Sequence, residues 1–239
     1  MSLVYLVGTN HMDLKGPERL RKFLGFVRPD QVCLEASPEL IQKTLAEREI
    51  MKAEMEKEKK FTKMMERYHN LMGIKKEKRS NEDFVLRFLS TLRYEIWVPH
   101  EYKETNNHAV KIIPIDMHED LVKGQEFYKR AFGNERMNIE ELSKVTDIAK
   151  IQETIDRAYL EADHYYANNP QEREQFSSLH ERDNGMELRI RETVEKNGVP
   201  TTVVICGNHH FFADYDRNLY ERLKDLSPVR VRLPELDNF

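Results

Sequence analysis

Cysteine is scarce. The chain has only Cys33 and Cys206, each inside an apolar run that reads as a strand. Two isolated thiols supply neither a disulfide framework nor a Cys-x-x-Cys zinc pair, and they are expected to be free thiols of a reducing cytoplasm. Several nucleophile and phosphate signatures are also missing: there is no Gly-x-Ser-x-Gly, no P-loop, no Gly-x-Gly-x-x-Gly and no His-Glu-x-x-His. No local motif therefore names a serine hydrolase, a nucleotide binder or a zincin. No apolar run approaches the ~20 residues of a membrane span, and the first residues lead almost directly into a strand rather than a signal peptide, so no membrane partner is expected. A net charge of −4 and a pI of about 6.2 provide no global basic field, so no nucleic-acid partner is expected either.

What is present begins with size. At 239 residues, 39% hydrophobic and 33% charged, the chain can bury a substantial core without disulfides or metals. One stretch then occurs twice. Val4-Tyr5-Leu6-Val7-Gly8-Thr9-Asn10-His11 near the start matches Val203-Val204-Ile205-Cys206-Gly207-Asn208-His209-His210 near the end. Each is an apolar, β-branched run followed by Gly-x-x-His, which predicts a buried strand with a histidine in the first loop beyond it. The register holds downstream: Pro29 follows His11, and Pro228 follows His210, by eighteen residues, and Val32-Cys33-Leu34 aligns with Val231-Arg232-Leu233. Both copies read as strand, Gly-x-x-His, helix, turn and strand, an internal pseudo-repeat of two βαβ units with parallel strands.

The rest of the chain agrees with an α/β fold. Gly16-Pro17 opens a helix with Leu20, Phe23, Leu24 and Val27 on its apolar face. Ser37-Pro38 caps the next, and residues 38–93 read as a helical insertion whose Glu56-Lys57-Glu58-Lys59-Lys60 run is polar on every side. Leu92 and Ile96 continue a helical face, with a kink near Glu95 expected from Pro99. Val110 to Ile115 is a strand closing in Asp116, and Pro114 inside it suggests a sheet edge or a bulge. A long periodic helix is expected from Ile139 to Tyr166, capped by Asn138 and Glu141. Another carries Phe176, Leu179, Met186, Ile190 and Val194 and stops at Asn197-Gly198. The expectation is one domain over residues 1–239, a mostly parallel sheet flanked by helices, with 38–93 inserted in it.

In such sheets ligands bind beyond the carboxyl ends of the strands. His11, Glu35, Asp116 and His210 all fall at or just past those ends. Asn208 and His209 rival His210, and the repeat register favours His210. Glu35 at a buried strand end requires a partner or a metal, unless it serves the N-terminus of the helix at Pro38; Asp116 has the same two readings. Arg182 lies three residues after Leu179 and four before Met186, on the apolar stripe. It either meets an inward carboxylate or snorkels at the core margin. Two imidazoles and a carboxylate, His11, His210 and Glu35, suit one divalent ion such as zinc, manganese or cobalt, with occupancy falling as pH drops through ~6.5.

Tyr5-Leu6-Val7-Gly8-Thr9-Asn10-His11, Arg28-Pro29-Asp30-Gln31-Val32-Cys33-Leu34-Glu35, Ile113-Pro114-Ile115-Asp116, Glu181-Arg182-Asp183-Asn184-Gly185-Met186 and Gly207-Asn208-His209-His210 together resemble the TraB/PrgY/TIKI superfamily. The resemblance implies a hydrolase-like site. In the TIKI branch that is a metal-dependent protease using the two Gly-x-x-His histidines and the first glutamate. The family also carries a glutamate near the start of the helix before the central strand, which Glu95 matches, with Glu101 as a rival. Met117 follows Asp116 where the family often has arginine. The expected activity is a metal-dependent peptidase or small amide or ester hydrolase, with Glu35, Glu95, Asp116 and Arg182 in its catalytic machinery. The alternative is a non-catalytic protein that sequesters a peptide or small ligand, as in the pheromone-shutdown branch.

Overall fold

The computed structural model describes residues 2–55, 91–106, 109–117, 148–169 and 177–238. Most of the expected insertion 38–93, the Asn138–Glu141 cap and Phe176 lie outside the described residues. Strand β1 (Leu3–Thr9) leads to helix α1 (Gly16–Val27), β2 (Gln31–Leu34) and α2 (Pro38–Met55). Then come α3 (Tyr94–Thr105), β3 (Lys111–Pro114), α4 (Ile148–Glu161), a 3-10 turn over Ala162–His164 and the short α5 (Tyr165–Asn168). Helix α6 (Ser177–Asn197), β4 (Thr201–Gly207), α7 (Asn208–Phe212), α8 (Leu219–Arg222) and β5 (Val229–Arg232) complete the order.

Among the described residues five strands form one all-parallel sheet in the order β3-β2-β4-β1-β5. The two Gly-x-x-His strands, β1 and β4, are neighbours at its centre, with Gly8 opposite Cys206 and Thr9 opposite Gly207. Side chains alternate between two cores. Val7, Val32, Leu34, Val203 and Ile205 pack with α1, α3 and α4 through Leu20, Phe23, Trp97 and Tyr159. Val4, Leu6, Cys33, Val204 and Cys206 pack with α6 and α7 through Met186, Ile190, Phe211 and Phe212. Cover on both faces explains the nearly unbroken apolar runs of β2 and β4. Cys33 and Cys206 are buried free thiols, and burial pushes the Cys33 thiol up to about 12.

Local signals mostly hold. Ser37 Oγ accepts the Leu40 amide at 3.2 Å, capping α2. Gly198, at φ +55°, supplies the left-handed residue just past α6. Strand β3 is an edge strand. Lys111 donates its amide to Asp30, just before β2, and Ile115 donates to Leu34 at its end, so the alternation of a parallel ladder turns Pro114 toward the open side, where no donor is needed. Two helices differ from expectation. Leu92 and Arg93 form a turn, and Arg93, at φ +53°, cannot sit inside a right-handed helix, so α3 starts at Tyr94 and runs through Pro99 to Thr105. The helix expected to reach Tyr166 breaks at Ala162–His164. There Asp163 turns to Arg232, and Asp214 accepts the amides of Tyr166 and Ala167 that open α5. Among the described residues no helix is long and apolar enough to cross a membrane.

Candidate functional site

Because all strands run the same way, the residues at their carboxyl ends share one edge of the sheet. Asp116 lies past β3, Glu35 past β2, His210 past β4 and His11 past β1, and the sheet order sets them side by side in that sequence. Helix α6 crosses the same edge and brings Arg182 and Asp183 to it, as their contacts with Glu35, Asp116 and His210 show.

Glu35 is the hub. Its Oε2 accepts the Gly207 amide at 2.6 Å, and its Oε1 accepts Arg182 Nη2 at 2.5 Å and faces His210 Nε2 at 3.1 Å. Arg182 also donates Nε and Nη2 to Asp116 Oδ2, at 3.1 and 2.6 Å. The guanidinium thus bridges the carboxylates of two strands, which decides between its inward and snorkelling readings. Burial works against ionisation of Glu35, but the charges of His210 and Arg182 outweigh it and hold the carboxyl well below its ordinary range.

Each histidine is held at Nδ1 by its own carboxylate. His11 Nδ1 lies 2.7 Å from Glu95 Oε1, and His210 Nδ1 lies 2.6 Å from Asp183 Oδ1. Tyr215 donates its hydroxyl to the other oxygen of Asp183 at 2.6 Å. Of the two glutamates on α3, Glu95 meets His11, whereas Glu101 pairs with Arg21 and Lys52. Attraction to Glu95, reinforced by Glu35, raises the His11 pKa to about 9. Burial opposes charge on His210, yet Glu35 and Asp183 together raise it to about 9 as well. The imidazoles thus become neutral near pH 9, above the ~6.5 of an unperturbed histidine. The His11 side chain is 54% exposed and that of His210 only 5%, so His11 stands on the solvent-facing wall of the site and His210 on its floor.

The donor chemistry suits a divalent cation. With Nδ1–H given to a carboxylate, a neutral imidazole presents its Nε2 lone pair. At His210 that lone pair faces a carboxylate oxygen, an arrangement that calls for a proton or a metal between them. Glu35, Glu95, Asp116 and Asp183 against Arg182 leave a net charge of −3 when both imidazoles are neutral. One divalent ion or two protons would bring it to the same −1. His11, Glu35 and His210 do not form a compact three-donor cage: among the described residues no group of three His, Cys, Asp or Glu side chains stands in metal-holding geometry.

The chain matches no family model, no curated protein and no solved structure.

The site contains two residues that sequence reasoning missed. Asp183 is fully buried, and Tyr215 nearly so. Asp183 had a signal: Leu179, Asp183, Met186 and Ile190 follow helical spacing on the buried face of α6, so an acid stood in the apolar stripe. Tyr215, in the loop after α7, had none.

Proposed function

We propose that the chain is a metal-dependent hydrolase of the TraB/PrgY/TIKI type, acting on a peptide or a small amide or ester, and that its two Gly-x-x-His units derive from an internal repeat. The observation that carries this reading is the pair of carboxylate-oriented imidazoles beside Glu35. Each histidine has its Nδ1 claimed, by Glu95 at 2.7 Å and by Asp183 at 2.6 Å, which is how proteins fix the tautomer of a ligating histidine. His210, Glu35 and His11 would have to draw together to hold the ion. Once bound it would supply a Lewis acid and lower the pKa of water to ~7.

The chain's own residues do the remaining work. The Gly207 amide and Arg182 hold Glu35 ionised and fixed in orientation. Arg182, with 29% of its side chain exposed, presents a guanidinium edge at the mouth, where it can bind a developing oxyanion. Asp116 shares the Arg182 charge, which keeps the guanidinium from collapsing wholly onto Glu35. The repeat is supported by the gapless sequence register, by the central pairing of β1 with β4, and by the flanking pairs of β4 with β2 and β1 with β5.

The test is elemental analysis of gently purified protein, with melting temperature measured against added Mn²⁺, Co²⁺ and Zn²⁺. A resident site raises the melting temperature of the wild type by linkage and does so less or not at all in His210→Ala and His11→Ala. Equal responses in all three proteins would remove the metal from this reading.

A further inference from the structure

On the Nδ1 side of His210, beyond Asp183, the ring of Tyr215 forms part of a cavity of about 670 Å³. That volume lies within the ~300–1,000 Å³ range of small-molecule sites. Its walls include Tyr166, Phe212 and Tyr215. Tyr166 meets Tyr215 edge to face at 5.7 Å, and His180 does the same from the other direction at 5.4 Å. These contacts give the ring of Tyr215 a fixed setting.

The charges around this cavity are unevenly committed. Asp214 spends both oxygens on the amides of Tyr166 and Ala167, at 2.6 and 2.7 Å. Glu221 lies 2.5 Å from the ammonium of Lys224. Asp216 is an exposed acid at the rim. The two arginines that line the cavity, Arg217 and Arg230, form no ion pair with a carboxylate among the described residues. Arg232 makes the contrast clear. It lies two positions further along β5, stacks on Phe212 at 4.0 Å, and is clasped by both oxygens of Asp163 at 2.6 Å. Arg230 stacks on Tyr220 at 3.8 Å and on Phe212 at 5.0 Å, and gives Nη1 to the Phe211 carbonyl at 3.0 Å. Its guanidinium plane is oriented by two rings and a backbone oxygen, with no carboxylate on its fork.

We propose that this cavity binds a small carboxylic acid with a flat apolar body. The body lies among Tyr166, Phe212 and Tyr215, and the carboxylate meets Arg230 with Arg217 beside it. This site is separate from the hydrolase reading and does not depend on a metal. Its occupant would touch the ring of Tyr215, which stands three contacts away from Glu35 by way of Asp183 and His210.

The experiment is isothermal titration of the metal-stripped full chain with 3-phenylpropionate, with 3-phenylpropylamine and inorganic phosphate as parallel probes. The acid is expected to bind one to one with a Kd below about 1 mM. Arg230→Met should weaken it at least tenfold. Because Arg230 packs on two rings, Arg217→Met, at an exposed position, serves as a second variant and should weaken binding several-fold. Glu35→Gln should bind the acid as the wild type does, which separates this cavity from the metal-dependent reading. The proposal is overturned if the acid fails to bind at 10-fold that concentration, if the amine or phosphate binds as well as the acid, if both arginine variants keep wild-type affinity, or if Glu35→Gln loses it.

Discussion

The two Gly-x-x-His segments are alike in sequence and unlike in use. After β1 the chain makes a loop, and His11 stands in it half open to water against Glu95. After β4 the chain turns directly into α7, and His210 lies buried within that helix between Asp183 and Glu35. The glycines differ as well. A methyl group on Gly8 would lie 2.6 Å from Asn208 Oδ1 and 2.9 Å from the Phe212 ring, because α7 packs directly onto β1 there. A methyl group on Gly207 would meet nothing closer than Glu35 Oε2 at 3.5 Å. One glycine makes room for a neighbouring helix, and the other places an amide on the hub carboxylate. Matching letters predicted the location of both histidines; they did not predict which would be buried.

Each segment also leans on its own carboxylate-bridging arginine, and removing those should produce large effects. Arg19, only 2% exposed, holds the loop that carries His11: it donates to Asp13, Asp156 and Asp237 at 2.9, 2.8 and 2.5 Å. Asp13 is itself fully buried and also receives Gln152 and the Tyr159 hydroxyl. Arg19→Met leaves that carboxylate without its cation and should cost about 4 kcal/mol in denaturant unfolding. Arg182→Met acts on the second segment, freeing Glu35 and Asp116. With 29% of Arg182 exposed, water recovers part of the loss, and about 3 kcal/mol is expected. A smaller loss for Arg19→Met than for Arg182→Met would reverse the ranking of the two supports.

The glycines sharpen the comparison at lower amplitude. Gly8→Ala forces α7 off β1 and should destabilise by about 2 kcal/mol. Gly207, at φ −53° and ψ 140°, has a backbone that alanine adopts readily, so Gly207→Ala should be neutral or stabilising by about 0.5 kcal/mol. Paired urea titrations read both. Equal losses would mean that the two motifs are structurally equivalent after all.

Much of this was legible from local pattern. Apolar β-branched runs located four of the described strands and the repeat register located β5, Pro114 marked an edge, and the residues after the first four named Glu35, Asp116, His11 and His210. The inward reading of Arg182 came from its place beside Leu179 and Met186 on α6. What was not legible depends on non-local pairing. The order β3-β2-β4-β1-β5 cannot be derived from periodicity, and it is this order that puts Asp116 and Glu35 within reach of one guanidinium. Which of Glu95 and Glu101 meets His11 depends on the face of α3 turned toward it, since six residues are about 1.7 helical turns and set the two side chains about 120° apart around the axis. Asp237, at the far end of the chain from Arg19, gave no local sign of pairing with it.

The last contrast lies in how stability depends on pH, measured on the metal-stripped protein. Both histidines have pKa values raised to about 9 by folding. A raised histidine contributes stability that is fully present below its unfolded value of ~6.5 and is lost as pH rises through the folded value. Glu35 is depressed, so its contribution is present above its unfolded value of ~4.3 and is lost as pH falls through its lower folded value. These three groups together predict a plateau from about pH 4.5 to 6.5 and a decline toward pH 9 and beyond. The decline should come mainly from His210. Its charge is enclosed with Glu35 and Asp183, whereas water screens much of the His11–Glu95 attraction at a side chain 54% exposed. Urea midpoints at pH 6 and pH 9 should therefore differ in the wild type, differ nearly as much in His11→Gln, and converge in His210→Gln. If His11→Gln removes the pH dependence instead, the exposed imidazole carries the coupling, and the assignment of floor and wall in this site is the wrong way round.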